Sequence, residues 1–275
     1  MKRVFSFFVL CVAFAALATY ANANDNSVSQ TIESFDLSGF NPNGSKDWDV
    51  KGKTAYIEDT TMRFDGIEAH GYTEGDVIKV TSDKGEYDQR TGNLLLKDNV
   101  VAKSTTGAKI ITDKALWETE TNTIKADGPV LAIKGSSVAK SKGAEVKIND
   151  NKIDMKENVA VEIERDENGE KVKTSITCEG PLNVNYKDKI AVFNDNVVVH
   201  DKDTVIYSDK LFVYFNNDEN KITSIVAKGS VRIVKGDNET RGQEARYDVS
   251  TQELTMMGRP TVLFYGEDDN ASFGD

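Results

Sequence analysis

Five valines set the frame of this chain. Val100, Val130, Val159, Val197 and Val231 are spaced 30, 29, 38 and 34 residues apart, and the residues around them repeat. Six positions before each stand Leu94, Ile124, Ile153, Ala191 and Ile225. Four before stand Leu96, Ala126, Met155, Phe193 and Ala227, and two after stand Ala102, Ala132, Val161, Val199 and Ile233. All of these are apolar. The positions between behave oppositely: Lys97, Asp127, Lys156, Asn194 and Lys228 lie three before, and Asn99, Pro129, Asn158, Asn196 and Ser230 one before. Strand side chains alternate faces with period two, so the even offsets share one face across a connecting turn. The repeat therefore predicts strand–turn–strand units that pool their apolar faces.

A third strand precedes each pair. Tyr87, Trp117, Val146 and Val184 each lie seven residues before the −6 position, and Tyr214 takes that role if Asn216–Asn220 is a longer turn. Tyr247, Leu254 and Met256 open a sixth unit, whose turn Gly258-Arg259-Pro260 reads as one residue longer. Thr91-Gly92-Asn93 and Asn149-Asp150-Asn151 punctuate the strands with turn chemistry. One hairpin cannot bury a face alone, so successive units must stack around a shared apolar interior. Tight turns favour antiparallel pairing over a parallel β-helix. The fold class expected is all-β: an antiparallel β-jelly-roll, or β-taco, built from repeated short strand–turn–strand units. An open stack has edges that are either blunted or used for strand-to-strand docking.

Composition excludes several functions. The 275 residues carry a net charge of −11, which argues against wrapping nucleic acid. Met1–Ala23 reads as an export signal: Lys2 and Arg3 precede an apolar run from Val4 to Ala18, and Ala21-Asn22-Ala23 is a small-x-small cleavage site. An uncleaved anchor is the alternative, since the run is just long enough to span a bilayer. Removal of those 23 residues leaves 252 residues at −13, with Cys178 the sole cysteine. That excludes an internal disulfide framework, and His70 and His200 are too distant and too few to nominate a Cys/His zinc site or a nucleophile–base pair. Both histidines read as solvated strand or loop residues, and Cys178 as an unreactive strand thiol. The Asn216–Asn220 segment lacks the spaced carboxylates of a calcium loop. No catalytic residue, metal ligand or cofactor is expected. The charge run Glu164–Lys173 reads equally as a domain linker or a long hairpin tip, and Gly266–Asp275 as an acidic tail.

Several motifs carry a family resemblance. Phe35-Asp36-Leu37-Ser38-Gly39-Phe40, then Trp48 with Lys53–Ala55, Ser82-Asp83-Lys84-Gly85-Glu86-Tyr87-Asp88, Leu96-Lys97-Asp98-Asn99-Val100 and Thr112-Asp113-Lys114-Ala115-Leu116-Trp117 resemble the periplasmic part of the lipopolysaccharide-export family LptC. Ser208-Asp209-Lys210-Leu211, Ala227-Lys228-Gly229-Ser230-Val231 and Ala245-Arg246-Tyr247-Asp248 are similar to the LptA/OstA-like bridge family. The resemblance implies an LptC-like jelly-roll over 24–165, continued by an LptA-like one over 170–265. It implies a periplasmic carrier that shields lipopolysaccharide acyl chains in an apolar groove and passes lipid from an inner-membrane ABC permease towards the outer membrane. Partners would be that permease and, by edge-strand pairing, LptA-like bridge subunits or the outer-membrane translocon. The location would be the periplasm, with an uncleaved N-terminal segment supplying an inner-membrane tether.

On this reading the groove is lined by Leu94, Leu96, Val100, Trp117, Ile124, Val130, Ile153, Met155, Val159, Val161, Phe193 and Val197, with Trp117 or Tyr87 nearer a rim. Small side chains at fixed positions (Ala102, Ala126, Ala132) leave room beside the large ones. Two other classes compete. A structural or adhesive β-fibre would use the same edges around a dry interior. A carbohydrate-active enzyme would need paired carboxylates converging in a cleft, and no cluster nominates them.

Overall fold

A computed structural model describes residues 30–263 apart from 41, 74, 168 and 217–220; the expected export signal and acidic tail lie outside the described residues. Among the described residues the secondary structure is all strand, and the paired strands are antiparallel. The strands are β1 (Gln30–Phe40), β2 (Lys46–Glu58), β3 (Thr61–Thr73), β4 (Asp76–Asp88), β5 (Leu94–Ser104), β6 (Ala108–Glu118), β7 (Thr123–Lys134), β8 (Ser137–Lys147) and β9 (Lys152–Glu167). They continue with β10 (Glu170–Cys178), β11 (Leu182–Asn185), β12 (Ile190–Asp201), β13 (Thr204–Phe215), β14 (Ile222–Lys235), β15 (Asn238–Asp248), β16 (Glu253–Met257) and β17 (Thr261–Leu263). The expected all-β antiparallel architecture is the one observed.

The repeating unit is a bent strand rather than two strands joined by a turn. In β5, Lys97 pairs with Lys114 and Val100 with Thr112, so three steps on β5 match two on β6. Asp98 and Asn99 absorb the extra residue with φ of 61° and 54°. Asp and Asn enter the left-handed region at lower cost than other side chains, and a bulge bends its strand while the ladder continues on either side. Asp195-Asn196 and Gly229-Ser230 bend β12 and β14 in the same way. The polar positions before each valine are therefore corners, which explains why no hydrophobe occupies them. The sixth corner is not longer than the others. Gly258 and Arg259 both have positive φ, Met256 pairs with Ala245 and Val262 with Thr240, so Pro260 stands where the valines stand elsewhere.

The chain divides into two compact units: Met1–Glu157 with Asn185–Lys187, and Asn158–Val184 with Asp188–Asp275. In unit 1, β1 to β8 form an uninterrupted meander. Its first strands close on a core of Trp48, Val50, Ala55, Met62, Phe64, Ile67 and Tyr87. Trp48 and Val50 come from the arm on one side of the corner, and Met62, Phe64 and Tyr87 from the other, so the bent strands fold their inner faces together. Glycines make the closest approaches possible: the Phe35 ring lies over Gly52 and the Trp48 indole over Gly39, where a Cβ would collide. In unit 2, β10 pairs with both β12 and the second half of β9, and β12 to β15 continue as a meander. The charge run Glu164–Lys173 resolves as a hairpin, with Glu167 paired to Glu170 and Gly169 at φ 85°. Ile225 faces Val213, not Tyr214, and the register shifts at Tyr214/Phe215.

Candidate functional site

The interior of unit 1 is built from four rows of cross-strand neighbours that run parallel to the corner. Farthest to one side is a row of large side chains: Met62, Tyr87, Leu94, Trp117, Ile124 and Val146. Next to it, Phe64, Gly85, Leu96 and Ala115 pair in turn, followed by Ala126 with Ala144. At the corner Val100 pairs with Thr112, Thr112 with Val130 and Val130 with Ser141, all four buried. On the other arm lies a row of mostly small side chains: Ala69, Val80, Ala102, Ile110, Ala132 and Ala139, with Ile110 the one large member. No charged residue enters any of these rows. The charges stand outside as cross-strand pairs, such as Lys97 with Glu86 and Lys125 with Glu118.

On the arm of small side chains, burial falls away from the corner. Val100 and Val130 are buried, whereas Ala102 and Ala132 two residues on are only partly so. Ile110, between Ala102 and Ala132 on this inner face, is 43% exposed. A large row faces a small one, and the small one leaves an isoleucine open to solvent. Unit 2 fills the equivalent row with Val161, Ile176, Val199, Ile206 and Ile233, of which Ile176, Val199 and Ile233 are buried.

The residues read from the sequence as a groove lining divide between the two units. Leu94, Leu96, Val100, Trp117, Ile124, Val130, Ile153 and Met155 belong to unit 1, and Val159, Val161, Phe193 and Val197 to unit 2. Leu94 and Leu96 pack against the Trp48–Phe64 core. Tyr87 and Trp117 are 6% and 7% exposed, so neither stands at a rim. Trp117 Nε1 donates to Asn122 Oδ1 at 3.3 Å, a bond that holds the indole inside. The sequence reasoning missed Val80, Ile110 and Ala139. They lie on the alternate strands, which the valine alignment does not sample, but each is two residues before Ser82, Thr112 and Ser141.

Those three residues belong to a second repeat. Ser82 Oγ, Thr112 Oγ1 and Ser141 Oγ each donate to the carbonyl two residues on, at 3.0, 3.4 and 2.9 Å. The bond satisfies a buried hydroxyl and a carbonyl freed by the bend. Cys178 is the same device with sulfur: it pairs with Val159, and its Sγ donates to the Gly180 carbonyl at 3.2 Å. Burial pushes its thiol pKa up, which favours the protonated form. Ser208 occupies the equivalent place opposite Val197, without a side-chain partner among the described residues.

His70 departs from expectation. It is not a solvated strand residue: its Nδ1 lies 2.9 Å from Asp49 Oδ1, and Tyr72 donates its hydroxyl to Asp49 Oδ2 at 2.6 Å. Lys46 completes the cluster at 3.2 Å. Burial raises the Asp49 pKa, but the hydrogen bonds from Tyr72, His70 and Lys46 outweigh it and hold the carboxyl below its ordinary value. The cluster ties β2 to β3 on the outer face and does not touch the interior rows. His200 is exposed, as expected.

Comparison with protein families matches residues 4–164 to a family described as lipopolysaccharide-assembly, LptC-related. Residues 181–275 match a second, described as LptA/(LptD N-terminal domain) LPS transport protein. No curated protein matches the chain.

Proposed function

Since the chain belongs to the LptC-related lipopolysaccharide-assembly family and is a component of lipopolysaccharide transport, we propose that the inner face of unit 1 holds acyl chains against its row of small side chains. The observation that carries this is Ile110, apolar, inward-facing and 43% exposed between two alanines. Each methylene moved from water onto such a surface contributes about 0.8 kcal/mol, so affinity needs no charged contact. The chain is a carrier rather than a catalyst: its inner rows offer area and no reactive group. A dry β-fibre would fill the row that alanine leaves open here.

The finer assignments follow the same reading. The LptC-like part, 24–165, accepts lipid from the inner-membrane permease, and the LptA-like part, 170–265, hands it on. Docking to a further bridge subunit or the outer-membrane translocon uses β16 and β17, where Leu254 and Val262 are 53% and 46% exposed. The location is the periplasm, with residues 1–23 as signal or tether.

Photocrosslinking from a substituted Ile110 or Ala132 in cells tests the central claim. Capture of lipopolysaccharide from these positions, and not from outward-facing Lys97, is expected. Failure to capture it from any inner position would overturn the carrier reading.

A further inference from the structure

The outer face of the small-side-chain arm in unit 1 is itself unusual. Directly behind Val80, Ala102, Ile110 and Ala132 runs the row Val101–Ile111–Leu131, and Leu131 pairs with Lys140. Beside it Lys79 pairs with Lys103, and Lys103 with Lys109. Like charges directly opposite one another on adjacent strands are destabilising. Lys79 is relieved by Glu68 at 2.6 Å, but Lys103, Lys109 and Lys140 have no carboxylate partner among the described residues. The chain has 45 acidic residues against 34 basic ones, yet none stands in either of these two rows between β4 and β8; Glu68, opposite Thr81 on β3, and Asp113, at the β6 corner, flank them. Unit 2 handles the same problem differently. Arg232 and Arg241 are also opposite one another, and both pair with Glu239.

We propose that this face, Val101–Ile111–Leu131 flanked by Lys79, Lys103, Lys109 and Lys140, docks on the surface of a bilayer containing anionic phospholipid. Uncompensated cations in an acidic chain call for an external anion. The composition of the patch favours a bilayer over a protein: interface cores are enriched in aromatic residues and arginine and depleted in lysine, and between β4 and β8 these rows hold lysine and aliphatic side chains with Thr81, and neither an aromatic residue nor arginine. Lysines beside an aliphatic row suit a headgroup layer, because such a stem covers apolar surface while its ammonium group reaches polar surroundings. The inference stands apart from the acyl-chain reading, because it concerns the opposite face of the same strands. It gives that arm a reason to sit at a membrane while its inner face stays open.

Flotation of the full chain with vesicles tests it, using phosphatidylcholine alone or phosphatidylcholine mixed with phosphatidylglycerol. Residues 1–23 are common to every variant, so differences between variants report the face. Binding to the mixed vesicles is expected to exceed binding to neutral ones, and to fall roughly fivefold for each of Lys103→Gln, Lys109→Gln and Lys140→Gln. The triple variant should lose on the order of a hundredfold, as should the unchanged chain in high salt. Its thermal midpoint should hold or rise, since the substitutions relieve repulsion; a fall would mean that the lysines serve the fold. Equal binding to both vesicles, or a triple variant that binds unchanged, would overturn the proposal. Displacement from the vesicles by inorganic phosphate beyond that caused by chloride at equal ionic strength would do the same, because it would identify a phosphate site rather than a bilayer surface. Loss of vesicle binding with intact lipopolysaccharide crosslinking from Ile110 would separate this surface from the groove.

Discussion

Ala132 lies directly opposite Ile110 on the inner face of unit 1, and the pair leaves the isoleucine 43% exposed where a packed core would have covered it. Ala132→Leu distinguishes an open groove from a dry one. Adding methylenes to a filled core costs about 1–3 kcal/mol. In an open groove the added side chain covers Ile110 instead, so stability is expected to stay within about 1 kcal/mol while lipopolysaccharide crosslinking from Ile110 falls severalfold. Chemical denaturation run beside the crosslinking assay reads both effects.

Gly52→Ala attacks the closed end of the same unit. A Cβ at Gly52 would overlap the Phe35 ring, which packs against Phe64 with centroids 5.5 Å apart. The ring must move out of the core, and a loss of about 1–3 kcal/mol is expected. An unchanged denaturation midpoint would mean that β1 does not hold its ring against β2 in solution.

The Asp49 cluster sets a pH window. The Asp49 pKa is lower in the folded chain than in the unfolded one, so its contribution is present above the unfolded value and is lost as pH falls through the folded one. The Tyr72 pKa is raised by its bond to Asp49 and by burial, so that contribution is present below the unfolded value and is lost as pH rises through the folded one. Both terms hold between about pH 4 and pH 10. Asp49→Asn should cost about 1–3 kcal/mol at neutral pH and flatten the acid limb. Tyr72→Phe should flatten the alkaline limb. Parallel pH profiles for these variants and the unchanged chain would refute the assignment.

Cys178→Ser replaces the thiol by the group that Ser82 and Ser141 use in the same place. The donor to the Gly180 carbonyl survives, so stability should change by less than about 1 kcal/mol. In the unsubstituted chain, a thiol reagent should modify Cys178 only as fast as the fold opens. Rapid labelling under native conditions would contradict its burial.

What the sequence makes legible follows from period two. The apolar offsets and the hairpin turns are local patterns, so the alternating faces and the meander are readable from residues alone, whereas Glu164–Lys173 reads equally as linker or hairpin until its cross-strand pairing is seen. Partners brought together by a hairpin are harder to read. Asp49 and His70 stand 21 residues apart and meet only because Val50 pairs with Ala69, so a histidine that looks solvated in sequence is bonded in the fold. The open side of the groove was half visible. Ala102 and Ala132 recur in the valine repeat, but Ile110 belongs to the strand between them. That Val213 rather than Tyr214 pairs with Ile225 is not legible, because the sequence carries no mark for the length of the connection between these two strands. Burial of Tyr87 and Trp117 was missed because ring orientation depends on the neighbouring row.

The corners at Asp98-Asn99 and Gly128-Pro129 make lipid path length a modular quantity. Each bend is encoded by its own two residues, and each carries one bent strand with its alternate partner. Adding or removing a whole period of about 30 residues changes the chain by two strands, or about 10 Å along the row direction, without rebuilding any other bend. A carrier of this construction can be matched to the distance it must cover by counting repeats.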